Sequence, residues 1–196
     1  YEIHGCLVGS EMCIRRQMLF QNDKNILVIA TAKDTAKNLI TKVRIMYEAL
    51  PAWLKTAIVE NNKLSLIFKN GSQIKAIASN ESAGRSEALS LLIIDEAAFI
   101  DKIDTIWTAA QQTLATGGRC LAISTPNGVG NWFHKTWVDA KDELNKFNTV
   151  KLHWTCHPER DQEWRDEQTK NLGPTQAAQE CDCLLYTSPS PRDNRV

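Results

Sequence analysis

The sequence predicts an α/β protein with a mostly parallel sheet, and three observations favour this fold class. Apolar runs of strand length alternate with longer segments whose apolar residues recur at helical spacing. Residues 91–94 are four consecutive large aliphatics, which is typical of a strand that helices cover on both faces. The chain has 196 residues, enough for one domain with a substantial core. Strands that alternate with helices indicate parallel strands joined by helical crossovers.

Composition and charge agree with a folded domain and give little sign of function. The 23 basic residues balance 23 acidic ones, so net charge favours neither nucleic acid nor a membrane surface as a partner. No apolar run approaches the roughly 20 residues that a membrane span needs, and the N-terminus lacks a signal-peptide core. The six cysteines have no paired CxxC spacing, which favours free thiols in a reducing cytoplasm over a zinc site.

Periodicity predicts the elements of the first half in order. Residues 25–31 (NILVIAT) have the apolar content of a short buried strand. Apolar side chains then recur on one helical face of residues 34–50, and Pro51 ends this helix. Residues 63–69 and 73–78 alternate in polarity around an Asn-Gly dipeptide, which is typical of a hairpin turn.

Helices and strands continue to alternate after the strand at residues 91–94. The further elements predicted by periodicity are a helix at 104–115, a strand at 119–124, a helix at 132–144, a strand at 149–154 and a charged helix at 159–171. Trp132, Phe133 and Trp137 share one side of the helix predicted at 132–144. Their helical spacing favours packing in the core over stacking on nucleic-acid bases.

Two adjacent carboxylates, Asp95 and Glu96, follow the most apolar strand. Open α/β sheets bind their ligands at the carboxyl ends of the strands, so this position suits catalysis or metal binding. In nucleotide-hydrolysing enzymes such a pair holds magnesium and orients the attacking water. An acidic pair also occurs where it merely favours the dipole of a following helix. For the pair alone, both interpretations stay open.

A second polar segment, Ser-Thr-Pro-Asn-Gly at residues 124–128, ends the next predicted strand. A Pro-Asn-Gly turn alone is generic. Together with the acidic pair, however, it predicts a sheet of the P-loop NTPase type (additional-strand, RecA-like), in which neighbouring strands present such groups to one nucleotide. We therefore expect residues 26–30, 91–94 and 120–124 to form neighbouring parallel strands, with Asp95 and Ser124 at the same sheet edge.

The phosphate-binding loop that this chemistry requires has the pattern GxxxxGK[ST], which the sequence does not contain. The Gly-rich candidate at residues 117–119 lacks a following Lys-Ser/Thr and a helix start. The sheet is therefore predicted to be truncated at its N-terminal phosphate-loop unit.

The two ends of the sequence differ from the segment between them. One choice of codons for residues 7–15 gives DNA whose complementary strand, read in a shifted frame, encodes residues 184–192. Such ends resemble a translated sequencing adaptor joined to both sides of a fragment, and a natural inverted repeat is the alternative. We expect residues 1–17 and 183–196 to be disordered and artefactual.

Residues 18–182 resemble the ATPase domain of large terminase subunits, the motors that package DNA into tailed bacteriophage and herpesvirus capsids. We therefore interpret these residues as a partial terminase ATPase domain. The segments that carry the resemblance are ILVIATAKDTAKNLITKVRIMYEALPAWLK, NNKLSLIFKNGSQIKAIAS, GRSEALSLLIIDEAAFI, LAISTPNGVGNWFHKTW and HPERDQEWRDEQTKNLGPTQAAQECDC.

The resemblance implies a role for each matching site residue. Asp95 would be the Walker B aspartate that ligates Mg²⁺, and Glu96 the catalytic base. Ser124, Thr125 and Pro126 would form the coupling motif. Arg85 is a candidate for a contact with phosphate or DNA, with a solvated loop arginine as the alternative.

The resemblance also implies the setting in which the parental protein works. ATP would be its substrate and Mg²⁺ its cofactor. Double-stranded DNA, the portal protein and the small terminase subunit would be its partners, and the full protein would form a homo-oligomeric ring. It would act in the host cytoplasm, transiently at the viral procapsid, without a membrane. The C-terminal nuclease domain of the family has no counterpart in this match.

Two other hypotheses about function stay open at this point. A superfamily 2 helicase also has an acidic strand end and a polar third motif, and sequence after Asp182 would distinguish it. The chain as given is alternatively an inactive, truncated reading frame, because it has the water-activating half of an ATPase site without the phosphate loop.

Overall fold

The computed structural model of this protein describes residues 2–4, 10–79 and 87–183. Within them, eight strands form one mixed, mostly parallel sheet, flanked by helices. The strands are β1 (Glu2–His4), β2 (Asn25–Ala30), β3 (Ile58–Asn61), β4 (Ser65–Phe68), β5 (Gln73–Ala78), β6 (Leu91–Asp95), β7 (Arg119–Ile123) and β8 (Asn148–Val150). The helices are α1 (Ser10–Phe20), α2 (Lys33–Glu48), α3 (Ile103–Leu114), α4 (Trp132–Lys141), α5 (Gln162–Leu172) and α6 (Pro174–Glu180).

The strand order is β3-β4-β5-β2-β6-β7-β1-β8. Strands β2, β6 and β7 are therefore neighbours, and all three are parallel, as the sequence predicts. The register pairs Ile29 with Ile94, and Asp95 with Ile123, the residue before Ser124. Asp95 and Ser124 consequently emerge at the same sheet edge, which confirms the prediction.

Strand β6 is buried on both faces, which explains its continuous aliphatic run. Leu92 and Ile94 face one core cluster, which also receives side chains from α3 and α4. Leu91 and Ile93 face the other cluster, which receives side chains from α1 and α2. Successive side chains of a strand point to opposite faces. A strand between two helical layers is therefore apolar at every position, without the alternation of apolar and polar residues seen in half-exposed strands.

Helices α2 and α4 bury the faces that their periodicity predicts. Ala36, Leu39, Ile40 and Val43 of α2 lie in the core. In α4, Trp132 is 7% exposed and Phe133 6% exposed, and Trp137 packs against the same cluster. Core packing, rather than stacking on bases, is thus the structural role of these aromatic side chains.

The hairpin of β4 and β5 forms as predicted, and the sheet extends beyond it. Strand β3 pairs antiparallel with β4 at the sheet edge, where periodicity predicts no strand. Three of its four residues are exposed, so it lacks the alternation that would identify it. In the hairpin turn, Gly71 has a φ of +79°, a backbone conformation that glycine adopts without steric cost.

Residues 1–17 are predicted to be disordered, but those that the structure describes, residues 2–4 and 10–17, belong to a strand and a helix. Strand β1 pairs in parallel with both β7 and β8, and α1 precedes β2. Ile14 and Met18 of α1 are 0% and 1% exposed, because their four-residue spacing places both against the α2 side of the core. At the other end, residues 184–196 lie outside the described residues.

The C-terminal part differs from the predicted elements in its details. Strand β8 ends at Val150, although periodicity predicts a strand through residue 154, and residues 154–156 form a 3-10 turn instead. Helix α5 begins at Gln162, where Asp161 caps it by accepting a hydrogen bond from the Trp164 N–H. Helix α6 follows after Gly173 and has no counterpart among the predicted elements. No helix in the described part of the chain is long and apolar enough to cross a membrane.

We expect Gly118→Ala to destabilise the fold by about 1–3 kcal/mol, because it overpacks the junction between α3 and β7. A Cβ at residue 118 would lie 2.2 Å from the Leu89 carbonyl oxygen and 2.7 Å from Leu114 Cδ2. Thermal unfolding measures the effect, with Thr116→Ala as a control at an exposed position of the same turn. A melting temperature equal to that of the parent would contradict this packing.

We expect Asp182→Asn to destabilise the protein by about 1–2 kcal/mol at neutral pH. Arg165 donates to both Asp182 carboxylate oxygens, at 2.9 and 2.7 Å, and joins α5 to the end of α6. These hydrogen bonds lower the pKa of Asp182. The stabilisation is therefore fully present above the unfolded pKa of about 3.9 and is lost as pH falls through the lower folded pKa.

Melting temperatures of the parent and of Asp182→Asn, measured from pH 7 down to acid, test this expectation. The two curves should converge at low pH. Asp166→Asn is the matched control, because Asp166 is exposed and accepts a hydrogen bond from Gln162 within α5. A gap between parent and variant that stays constant with pH would contradict the role of the Asp182 charge.

Candidate functional site

The candidate site lies at the carboxyl ends of β6 and β7. Asp95, the last residue of β6, is 3% exposed. Glu96 follows it in the left-handed backbone region, with φ +53° and ψ +46°, and is half-buried. A non-glycine residue adopts this conformation at a cost of the order of 1 kcal/mol, so surrounding contacts must hold it. The turn is closed by the Phe99 N–H, which donates to the Glu96 carbonyl at 2.9 Å.

Ser124 joins the end of β7 to this turn. Its side chain is 2% exposed, and its Oγ accepts a hydrogen bond from the Ala98 N–H at 3.1 Å. The same Oγ lies 2.7 Å from the Thr125 carbonyl oxygen and 3.4 Å from Glu96 Oε2. A hydroxyl has one proton, so Ser124 donates to only one of these two oxygens at a time. The hydroxyl thus links the acidic turn directly to the neighbouring strand.

The residues after Ser124 continue this contact. The backbone N–H of Thr125 hydrogen-bonds to the Glu96 carboxylate, and Pro126 is buried. Asn127 Nδ2 donates to the Ala98 carbonyl at 3.2 Å. The structure therefore brings together five of the six site residues predicted from sequence: Asp95, Glu96, Ser124, Thr125 and Pro126.

The environment of Glu96 raises its pKa above the ordinary value. Burial is the largest cause, and the negative charge of Glu180 adds to it. Hydrogen bonds from Ser124 and from the Thr125 backbone act in the opposite direction, because they stabilise the charged form. A carboxylate whose pKa is raised accepts a proton more readily than an ordinary one.

A cleft of roughly 470 Å³ opens beside the acidic pair, and α2 forms its other wall. The polar side chains that line this wall include Thr35, Asn38 and Lys42. Their spacing of three and four residues places them on one side of α2, next to its buried face. The sequence predicts no role for these residues, because a polar stripe on a helix looks like a solvent-exposed surface until the opposite wall is known.

The donor chemistry of the site fits a magnesium ion. The described residues contain no group of three or more His, Cys, Asp or Glu side chains that would hold a metal by itself. Magnesium, however, is usually bound through one or two carboxylates together with substrate phosphates. Asp95 supplies a buried carboxylate at the edge of an open cleft, which is compatible with this mode.

Two exposed lysines of α2 are not part of the cleft lining, and Arg85 lies outside the described residues. Arg85 belongs to residues 80–86, which the structure does not describe. Lys33 and Lys37 are exposed on α2 and do not line the cleft beside Asp95.

The parallel central strands, the helices on both faces and the polar groups at one sheet edge define an α/β domain with a P-loop-like fold. Solved structures agree with this class. The fold is similar to the large terminase ATPase domain of Thermus phage P74-26, with a TM-score of 0.71, 21% identity, and coverage of 94% of this chain and 88% of that one. It is also similar to the large terminase of a thermophilic bacteriophage, with a TM-score of 0.72, 14% identity, and coverage of 93% of this chain and 47% of that one.

A family model for the N-terminal part of the T4-like-virus type of terminase large subunit matches residues 10–189. The chain therefore belongs to this terminase large-subunit family. Mu-like prophage FluMu protein gp28 of Haemophilus influenzae is 36% identical over 93 residues, which are 46% of this chain and 18% of that protein. The chain thus spans less than half the length of gp28 and of the thermophilic bacteriophage terminase.

Proposed function

We propose that this chain is part of an ATP-hydrolysing motor that translocates double-stranded DNA into a viral procapsid. The observation that carries the proposal is the junction of β6 and β7, where Asp95, Glu96 and Ser124 meet at one edge of a terminase-type sheet. Neighbouring strand ends of this kind present an acidic pair and a polar sensor to a single nucleotide.

Each residue at the junction has a role in this proposal. Asp95 would hold Mg²⁺ together with the phosphates of ATP. Glu96 would accept the proton of the attacking water, and its half-buried position and raised pKa support that role. Ser124, Thr125 and Pro126 would form the coupling motif, because the contacts of Ser124 and Thr125 with the acidic turn join it to the next strand.

The nucleotide and the metal follow from the same chemistry. Solved structures of the similar thermophilic bacteriophage terminase include complexes with ADP and with ATP-γ-S. Mg²⁺, when bound, would neutralise charge that develops on the transferred phosphoryl group. The lysine-containing phosphate loop would come from residues upstream of Met18 in the parental gene, with residues 18–182 as its partial ATPase domain and both flanking ends as adaptor-like sequence.

The partners in this proposal are those of a packaging motor. Double-stranded DNA would be the cargo, and the portal protein and the small terminase subunit would be the protein partners. The full protein would assemble as a homo-oligomeric ring in the host cytoplasm, transiently at the procapsid. Arg85 remains a candidate for a contact with phosphate or DNA, and Arg85→Ala in the parental protein would test it.

A translocation assay distinguishes this function from that of a superfamily 2 helicase. We expect the full-length parental protein, with ATP and Mg²⁺, to displace the third strand of a DNA triplex while the duplex stays paired. The matched control uses the same protein with ADP, which should displace nothing. Separation of the two duplex strands would favour the helicase and would overturn the proposal of a packaging motor.

A further inference from the structure

The backbone of Ala98 is held from both sides by residues that follow β7. Its N–H donates to Ser124 Oγ at 3.1 Å, and its carbonyl accepts from Asn127 Nδ2 at 3.2 Å. Ala98 lies inside the turn that Glu96 opens and that the Phe99 N–H closes. Movement of Ala98 would therefore displace the turn in which the Glu96 backbone is held at φ +53°.

Asn127 is itself fixed to a rigid element. Asn131 Nδ2 donates to the Asn127 carbonyl at 2.8 Å, while Asn131 Oδ1 caps α4 by accepting from the His134 N–H at 2.9 Å. The first residues of α4, Trp132 and Phe133, are buried in the same core cluster as Ala98. A continuous series of hydrogen bonds therefore connects the start of α4 to the acidic turn.

We propose that Asn127 is a positioning residue, which holds the Ala98 carbonyl and thereby fixes the Glu96 turn against the end of β7. This inference rests on the proposed role of Glu96 and adds a residue outside the Ser-Thr-Pro motif. The side chain of Asn127 acts through Ala98 rather than on the Glu96 carboxylate itself. Its effect is preorganisation, because a catalytic group displaced by about 1 Å loses up to about 10²-fold in rate.

The geometry makes different predictions for two variants of Asn127 and for a matched control. Asn127→Ala removes the whole side chain, and Asn127→Asp keeps its shape but removes the donor to Ala98. The control is Asn145→Ala. Asn145 also makes two backbone hydrogen bonds of 2.8 Å, to the Thr136 carbonyl and from the Phe147 N–H, but it lies beyond the other end of α4.

Hydrogen exchange of the Ala98 amide in the 196-residue chain is the first measurement. We expect exchange to accelerate about tenfold in both Asn127 variants, because local opening of the turn becomes easier. Asn145→Ala should leave Ala98 unchanged. An Ala98 amide as protected in Asn127→Asp as in the parent would overturn the inference, whether or not the protein is an ATPase.

Steady-state kinetics in the full-length parental protein are the second measurement. Both Asn127 variants should lower kcat for ATP about tenfold and leave KM within about twofold, since positioning acts on the chemical step. Asn145→Ala should change neither constant. A rise in KM with unchanged kcat would overturn the positioning role, whereas normal turnover in Glu96→Gln would instead overturn the proposed role of Glu96 as the base.

Discussion

Glu96→Gln, in the full-length parental protein, is expected to abolish ATP turnover. The expected loss in kcat is about 10²–10⁴-fold, the contribution of a positioned general base. Glutamine keeps the size of the side chain and can still accept the hydrogen bonds from Ser124 and the Thr125 backbone, but it does not take a proton from water. Single-turnover hydrolysis measures the chemical step, and equilibrium binding of labelled ATP should be nearly unchanged.

A matched control separates this chemistry from backbone effects. Glu143 also has a left-handed backbone conformation, with φ +58°, and is exposed beyond the end of α4. Glu143→Gln should therefore leave kcat unchanged. Normal turnover in Glu96→Gln would mean that the base lies elsewhere, and Asp95 and Glu96 would then be interpreted as an acidic pair that only favours the following helix.

The central part of the fold was predictable because the burial of each element determines which of its positions are apolar. Strand β6 contacts helices on both faces, so its residues are all apolar up to Asp95. Helix α2 packs with one face, so its apolar residues recur at helical spacing. Since the carboxyl ends of neighbouring parallel strands meet at one edge, the convergence of Asp95 and Ser124 followed from these two patterns.

The peripheral elements were less predictable because weaker packing leaves a weaker pattern. Edge strand β3 is largely exposed, and β1 and β8 have three residues each, too few for an alternation to be recognised. Helix α6 has seven residues and a single buried position, Ala177. Helix α1 combines Ile14 and Met18 with a sequence that otherwise lacks a strong apolar face, so its packing depended on the neighbouring α2.

Residue types in the site were predictable, whereas the contacts between them were not. The sequence identifies Asp95, Glu96 and Ser124 through their positions at strand ends. The left-handed conformation of Glu96 and the hydrogen bond from Asn127 to Ala98 depend on how two loops approach each other. The spacing of residues along the sequence does not tell how closely two loops approach each other. An Asn before Gly indicates only a turn.

The 196-residue chain itself is expected to show no ATP hydrolysis above that of buffer. In P-loop enzymes, backbone amides and a lysine of the phosphate loop bind the β- and γ-phosphates and stabilise charge in the transition state. Removing one such electrostatic contact commonly costs about 10²–10³-fold in kcat, and this sequence lacks the loop motif altogether. Asp95 would then bind Mg²⁺ only weakly, because that ion is normally shared with bound phosphates.

Phosphate release by the purified chain, compared with that by the full-length parental protein, measures the difference. Activity should appear only in the longer protein, and Glu96→Gln should remove it. Cooperative thermal unfolding of the 196-residue chain is the control that separates a missing phosphate site from a failure to fold. Hydrolysis by the short chain that Glu96→Gln abolishes would mean that its own residues bind the phosphates, and Lys42 on the α2 wall of the cleft would be the first side chain to replace.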